Sequence, residues 1–236
     1  MASRLVEDSS LRNKLSVFSD RTDAGKRVAS FLKRTISGDE IVLAIPSGGV
    51  PVAFEIAEEL SLPMDLIIVR KIQIPWNTEA GFGAVDPDQC VIYNEELLRK
   101  LKLTEKVIKN QIEKTLAIIR ERNKVFRKEM PIPELDGRRV IIVDDGLASG
   151  YTMVAAVRFA RRRNPEKIIV AVPTGLGKTI DFVLSEADEF VCLNVRSGYS
   201  FAVADSYENW YDLGDKEVIS ILEKYYKKGI KEKSDF

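Results

Sequence analysis

The sequence has 236 residues, of which 45% are hydrophobic and 31% are charged, and its formal net charge is zero. This composition supports a buried core, and the balanced charge gives no field that would attract nucleic acid or an anionic membrane. No apolar run approaches a membrane span, and the N-terminus lacks the apolar core of a signal peptide. We therefore expect a cytoplasmic protein with no membrane and no nucleic-acid partner.

Histidine is absent from the sequence. Its absence excludes the serine and cysteine triads that use an imidazole base, and most zinc sites. Catalysis would have to use carboxylates, lysine, tyrosine, backbone dipoles or a hard metal ion. The two cysteines, Cys90 and Cys192, are far apart and lack metal-binding spacing, so both are expected to be buried free thiols.

In chain order, residues 1–17 show little pattern and are expected to form a loose arm. Apolar residues with helical spacing predict a helix over 23–36. The run "IVLAI" (41–45) is typical of a buried strand, and "PVAFEIAEEL", with proline in its first turn, predicts a helix after it. A second buried strand is predicted at 65–69.

The next segment, 71–93, is not helical and contains two apolar runs around a "DPDQ" turn, which predicts a flap-like insertion with a β-hairpin. Asn94 can cap a short helix, and Thr104 can cap a long charged helix that reaches about Lys128. Packing of the long helix on the domain is the favoured interpretation, and a homodimer contact is the alternative. Its apolar face comprises Ile108, Ile112, Leu116, Ile119 and Phe126.

Three further strands are predicted in the second half of the chain, at 138–143, 167–172 and 189–195. Helices are predicted between them, from about Gly150 and near 178–187. Five short apolar strands, mostly separated by helices, predict an α/β fold. We expect one domain over residues 1–236, with an open, mainly parallel five-stranded sheet and helices on both faces.

A polar, aromatic loop at about 196–214 precedes a last helix that Asp215 can cap, and 229–236 is expected to be a loose end. The aromatic residues of this loop either cover the domain edge or form a hood over a flat base: Tyr199, Phe201, Tyr207, Trp210 and Tyr211. The segment "GLGKT" (175–179) resembles part of a nucleotide P-loop. The full pattern needs glycine where the chain has Val172, so we interpret the segment as a turn into a helix.

Two loops follow predicted strands and are candidates for a ligand site, "PSGG" (46–49) and "DDGLASGYT" (144–152). Ligands of open α/β sheets bind beyond the carboxyl ends of the strands, where the strand order reverses. If the two strands are neighbours, both loops face one crevice.

The second loop has the features of a phosphate site. Small residues remove side-chain bulk, and the helix start after them offers free backbone N–H groups and the positive end of a dipole. Two hydroxyls lie near that helix start. The residues concerned are Gly146, Ala148, Ser149, Gly150 and Thr152.

Asp144 and Asp145 stand at the end of a buried strand, where carboxylates are costly unless something pairs with them. They would repel a phosphate, but they are good partners for sugar hydroxyls or Mg²⁺. The loop therefore looks built for a sugar phosphate, with the phosphate on the small residues and the diol on the acids.

The stretch "VIIVDDGLASGYT" resembles the phosphoribosyl-pyrophosphate signature of type I phosphoribosyltransferases, with its two hydrophobic residues, two acids, Ser-Gly pair and final threonine. The likeness extends from Phe18 to Leu222, because one subfamily has segments similar to "FSDRTDAGKRVASFL", "PSGGVPVAFEIA", "VRKIQIPWNTEAGFGAV" and "AVADSYENWYDLGDKEV" in the same order. This subfamily usually reads Pro-Arg-Gly-Gly where the chain has Pro-Ser-Gly-Gly, so a cation is missing beside the leaving group.

The resemblance implies a Mg²⁺-dependent phosphoribosyltransferase. Such an enzyme moves 5-phosphoribosyl from phosphoribosyl pyrophosphate to a nucleobase or similar nitrogen nucleophile, as in purine or pyrimidine salvage, through a transition state like that of glycoside hydrolysis. The alternative is a non-catalytic regulatory protein that binds phosphoribosyl pyrophosphate or a nucleotide.

The resemblance also implies roles for residues. Asp144 and Asp145 would bind the ribose hydroxyls and, directly or through water or those hydroxyls, Mg²⁺. Arg70 and Lys71 would meet the pyrophosphate, and 71–93 would be a flap that closes over the sugar. The pyrophosphate loop, which often has a cis peptide in relatives, would be Ser47, Gly48 and Gly49, and the 5′-phosphate would lie on Gly146, Ala148, Ser149, Gly150, Tyr151 and Thr152.

Overall fold

The structure is a computed structural model, and it describes residues 4–198 and 201–234. Its strands are β1 (Leu5–Val6), β2 (Ile41–Ala44), β3 (Met64–Leu66), β4 (Arg70–Ile74), β5 (Asn77–Val85), β6 (Val91–Tyr93), β7 (Arg139–Val143), β8 (Lys167–Leu176) and β9 (Glu189–Arg196). Its α-helices are α1 (Arg21–Leu32), α2 (Gly49–Leu60), α3 (Glu95–Leu101), α4 (Glu105–Arg127), α5 (Tyr151–Arg161), α6 (Gly177–Leu184) and α7 (Asp215–Ser234).

The larger sheet is parallel, with strand order β1-β9-β8-β7-β2-β3. Alternate residues of its central strands face two separate hydrophobic clusters. Ile141 and Val143 pack with α1, α2, α4 and α7, and Val140 and Ile142 pack with α5 and α6. The predicted α/β fold with helices on both faces is therefore confirmed, and the near-continuous apolar strands reflect burial of both faces.

The sheet has six strands in the described chain rather than the five predicted. The extra strand is β1, in which Leu5 and Val6 pair with Phe190 and Val191 of β9. Residues 5–17 thus do not form the expected loose arm, and the Asn13 amide also donates to the Val195 carbonyl at 3.1 Å. A two-residue strand is too short to produce a recognisable alternation of apolar and polar side chains.

Two predicted helix starts are confirmed, because the side chain of Asn94 accepts from the Leu97 amide at 3.0 Å and the Thr104 hydroxyl accepts from the Val107 amide at 3.4 Å. Asp215, which was expected to cap the last helix, is instead the first residue of α7, and its side chain accepts from Arg122. The backbone of α7 continues to Ser234, through most of the segment that was expected to be a loose end. No helix in the described ranges is long and apolar enough to cross a membrane.

The insertion 71–93 forms a second, antiparallel sheet with order β4-β5-β6, which includes the predicted hairpin. Most of it is anchored, because Ile72, Phe82 and Val85 are fully buried. The exposed part is 75–79, which comprises the turn and the first residues of β5 and carries Trp76 at 68% exposure. At the other end, Cys90 is exposed after a turn, contrary to expectation, whereas Cys192 is buried in β9 as expected.

The long helix α4 packs on the domain, as the favoured interpretation predicted. Ile119 and Phe126 are buried, and Ile108, Ile112 and Leu116 pack against the same cluster. Two apolar side chains of α4, Ile118 and Val125, remain exposed. A homodimer contact through α4 stays an untested alternative.

Arg127 fixes the end of α4 to the sheet. Its side chain is 1% exposed and forms an ion pair with Asp65 of β3. It also donates to the carbonyls of Leu66 at 3.1 Å and Pro131 at 2.7 Å. Removing one partner of such a pair leaves a buried charge and buried carbonyls without partners, which is strongly destabilising.

We expect Arg127→Ala to lower the free energy of unfolding by about 3 kcal/mol, measured by urea denaturation. Arg120→Ala is the matched control, because Arg120 is an exposed arginine of the same helix; it should change the free energy by no more than about 0.5 kcal/mol. Equal effects of the two substitutions would contradict a bridging role for Arg127.

Candidate active site

The site is organised by the pairing of β2 with β7. Ala44 and Val143, the last residues of these strands, are register partners, and the Ile45 amide donates to the Val143 carbonyl at 2.9 Å. The chain order reverses between these two strands, since β3 lies beyond β2 and β8 lies beyond β7. The structure therefore brings the two candidate loops together at the switch point, as the sequence predicted.

The loop 46–49 lies directly against the acids of the second loop. A Cβ atom on Gly48 would stand 2.0 Å from Oδ2 of Asp145, and one on Gly49 would stand 2.6 Å from the Val143 carbonyl oxygen. The Pro46–Ser47 peptide is cis, as the resemblance implied. Helix α2 follows with Gly48 as its N-cap and no side-chain cap. Its first amides are already used, because Gly49 donates to the Ile45 carbonyl at 3.0 Å and Val50 to the Ser47 carbonyl at 3.1 Å, and Pro51 has no N–H.

The two carboxylates of the strand end have different partners. Oδ2 of Asp145 accepts from Nε of Arg21 at 2.8 Å, whereas Oδ1 of Asp144 accepts only the neighbouring Asp145 amide, also at 2.8 Å. Part of the compensation that the acids need thus comes from Arg21, a residue for which the sequence had indicated no role. Asp144 forms no ion pair with any described residue and is the less compensated acid.

Burial raises the pKa of Asp144 well above its ordinary value, and the negative charge of Asp145 raises it further. Burial also raises the pKa of Asp145, but the Arg21 guanidinium opposes that shift. Two acids with the same side chain therefore hold different affinities for a proton, because only one is paired with a cation.

The phosphate loop ends in a helix start without a side-chain cap. Gly150 is the N-cap of α5 and has a φ of +83°, a conformation that favours glycine, while Ala148 and Ser149 are exposed. Tyr151 and Thr152 begin the helix and are half-buried. Free amides, exposed small residues and the hydroxyls of Ser149 and Thr152 thus share one turn, as predicted.

This loop is supported from behind by the segment 175–179, which the sequence predicted to be a turn into a helix, and α6 does begin at Gly177. Strand β8 continues to Leu176, beyond the predicted end, because Leu147 forms a bridge with Gly175 and its amide donates to the Thr174 carbonyl at 2.9 Å. The Thr179 hydroxyl donates to the Ala148 carbonyl at 2.8 Å. These bonds hold Leu147 and Ala148 and leave the amides that follow facing the site.

Arg70 and Lys71 diverge, because neighbouring residues of a strand point to opposite faces. Arg70 is half-buried, and its pKa is lowered by burial and by the nearby charge of Arg122, with Asp215 opposing. The exposed Lys71 ammonium donates instead to the Glu79 carbonyl on β5. Of the two expected cations, Arg70 is therefore the one whose charge interacts with Arg122 and Asp215 beside the loop 46–49.

The loop at about 196–214 covers the acids from the side. The buried hydroxyl of Tyr207 donates to the Asp145 carbonyl at 2.6 Å, and the Arg21 guanidinium lies 3.9 Å from the centre of the Trp210 ring. The side chain of Val203 fills the space where a Cβ of Gly146 would stand. Tyr207 and Trp210 thus support the site, whereas Tyr211 is 54% exposed; Tyr199 lies outside the described residues.

Two functional candidates, Arg21 and Arg122, were missed by sequence reasoning. Arg21 opens α1 and reaches Asp145, and Arg122 of α4 donates to the Ser47 hydroxyl at 3.3 Å. Each is one of several basic residues on its helix. Only folding distinguishes these two arginines from the others. It brings Arg21 beside a partner 124 residues away in the chain, and Arg122 beside a partner 75 residues away.

A family model described as phosphoribosyl transferase domain matches residues 19–204. Two proteins of Mycobacterium tuberculosis, each named "Putative phosphoribosyl transferase", are 35% identical over 213 residues, covering 90% of this chain and 48% of theirs. The chain thus spans about half the length of these curated relatives. The crystal structure of a Thermus thermophilus protein, TT1426, is similar, with a TM-score of 0.71 and 31% identity, over 87% of this chain and 97% of that one.

The contrast between the two acids predicts effects of different size on stability. Because the pKa of Asp144 is raised in the folded state, its favourable contribution is complete below the unfolded value near 3.8 and is lost as the pH rises through the raised pKa. Asp144→Asn should therefore raise the free energy of unfolding by on the order of 1 kcal/mol at about pH 7, and less at about pH 4.

Asp145→Asn is the matched comparison, and it should raise the free energy of unfolding by less, because the substitution also leaves the buried Arg21 without its anion. Thermal unfolding of both variants across that pH range is the measurement. An equal or larger rise for Asp145→Asn would contradict the unequal pairing.

Proposed function

The chain belongs to the phosphoribosyl transferase domain family, and on this premise we propose that it transfers 5-phosphoribosyl from phosphoribosyl pyrophosphate to a nucleobase or similar nitrogen nucleophile. The observation that carries the proposal is the contact between the loop 46–49 and the acids at 144–145, beside an uncapped helix start. That arrangement offers one place for each part of the donor: pyrophosphate, ribose diol and 5′-phosphate. A cytoplasmic location and a role in purine or pyrimidine salvage belong to the same proposal.

In the proposed reaction, the bond from C1′ to pyrophosphate breaks, the acceptor nitrogen bonds to C1′, and the acceptor releases its proton. Asp144 and Asp145 would hold the ribose hydroxyls and place negative charge beside the cationic sugar. Arg21 would act as a positioning residue, because its bond to Asp145 fixes the orientation of that carboxylate. The amides from Ser149 to Thr152 would hold the 5′-phosphate.

The residues present fit a magnesium ion that arrives with the substrate. The described residues contain no group of three or more acidic, cysteine or histidine side chains that could hold a metal alone. Mg²⁺ typically binds through one or two carboxylates together with substrate phosphates and water, and Asp144 and Asp145 can supply those carboxylates. When bound there, the ion would neutralise charge on the departing pyrophosphate.

The flap and the aromatic loop complete the proposal. The exposed turn at 75–79 would close over the sugar and exclude water, while the buried strands beneath it stay in place. Among the described aromatic residues of the loop, Tyr211 has the largest exposed ring. It is the best candidate to stack on a flat acceptor.

The proposal is tested by mixing the protein with Mg²⁺, phosphoribosyl pyrophosphate and a panel of purine and pyrimidine bases, and measuring pyrophosphate release. We expect release with at least one base, and a fall in kcat of roughly 100- to 1,000-fold for Asp144→Asn, since one preorganised electrostatic partner is lost. Tight binding of phosphoribosyl pyrophosphate with no release for any base would instead support the regulatory alternative.

The phosphate site has its own test at Ala148, an exposed residue of the loop. Ala148→Glu should weaken binding of ribose 5-phosphate on the order of 100-fold, because it adds a like charge beside the phosphate. Ala148→Gln, with nearly the same shape and no charge, should retain most of the affinity. Calorimetric titration measures both, and equal losses would show that bulk rather than phosphate charge is responsible.

A further inference from the structure

Arg122 differs from a solvated arginine of a charged helix, because its side chain is largely buried and has specific partners. Its side chain is 17% exposed, and its guanidinium carbon lies 5.5 Å from the centre of the Phe126 ring, one turn along α4. One guanidinium nitrogen, Nη1, donates to the Ser47 hydroxyl at 3.3 Å, and the other, Nη2, donates to Oδ1 of Asp215 at 3.1 Å. The charge is therefore directed at the loop 46–49 from outside that loop.

The charges around this loop do not balance. Arg70 is close enough to Arg122 for the two positive charges to interact, and Asp215 is the carboxylate that interacts with both. Asp215 is 51% exposed, so water screens its charge more than that of the largely buried Arg122. Two guanidinium groups with one exposed carboxylate between them leave net positive charge beside this loop, which suits a polyanion.

We propose that Arg122 binds the pyrophosphate leaving group, supplying from α4 the positive charge that the neutral Ser47 side chain does not bring to its loop. This inference rests on the proposed function and names a residue for the same site. Asp215 is the counterion that holds Arg122 when the site is empty, and pyrophosphate takes its place on the guanidinium.

The chemistry of the side chain fits this role. A guanidinium presents parallel N–H donors that match two oxygens of a phosphate, and it keeps its charge at every physiological pH. The Phe126 ring and the buried Arg127 fix the helix turn that carries it. The donors are therefore held in position before pyrophosphate arrives.

The experiment compares four proteins: wild type, Arg122→Gln, Asp215→Asn and Arg120→Gln. Calorimetric titration measures their affinities for pyrophosphate in the presence of Mg²⁺ and, separately, for ribose 5-phosphate. Arg122→Gln should weaken pyrophosphate binding by about 10- to 100-fold and leave ribose 5-phosphate binding within about twofold. Arg120→Gln, on the exposed side of the same helix, should change neither affinity.

Asp215→Asn separates a binding role from a structural one. It breaks the same ion pair but keeps the cation, so it should strengthen pyrophosphate binding by a few-fold. If Arg122 only ties α4 to α7, both variants should weaken binding of both ligands together, and that result would overturn the inference. Unchanged pyrophosphate binding in Arg122→Gln would also overturn it while leaving the proposed function intact. A wild-type protein that binds neither ligand would overturn both.

Discussion

The structure depends first on the parallel pairing of β2 with β7. Their register aligns Ala44 with Val143, so the two chains leave the sheet side by side and at the same level. A slip of one residue would turn every side chain of a strand to the other face and separate the loops. The glycines of the loop 46–49 follow from this pairing, since the chain there passes too close to Val143 and Asp145 for a side chain at Gly48 or Gly49.

Asp144 and Asp145 impose the second requirement, which is a partner for their negative charge, because both follow a strand that is buried on both faces. The fold meets it with an arginine from α1, and it holds that arginine against Trp210 and the Tyr211 carbonyl. The aromatic loop thereby becomes part of the electrostatics of the site. A loop that looks like a cover for the domain edge also sets which carboxylate is paired and which is left for a ligand.

The fold and the centre of the site could be predicted because their signals are local. Buried parallel strands appear as apolar runs, Asn94 and Thr104 mark helix starts, and small residues mark the phosphate loop. The partners of Arg21 and Arg122 could not be predicted, because each pairing joins residues far apart in the chain and depends on how the elements pack. The resemblance implies the same role for Arg70 and Lys71, but alternation along β4 separates their side chains.

Helix α4 connects the parts of the site that do not belong to the central loops. Its Gln111 side chain donates to the Gln73 carbonyl of β4 at 2.8 Å, Arg122 reaches Ser47, and Arg127 pairs with Asp65. A helix rises about 1.5 Å per residue, so these attachments span about 24 Å of one rigid element. The base of the flap, which carries Arg70, is thereby held at a fixed separation from the loop 46–49. Only the exposed turn beyond the base of the flap would then move to close over a ligand. Arg70 and Arg122 would stay preorganised while that turn moves.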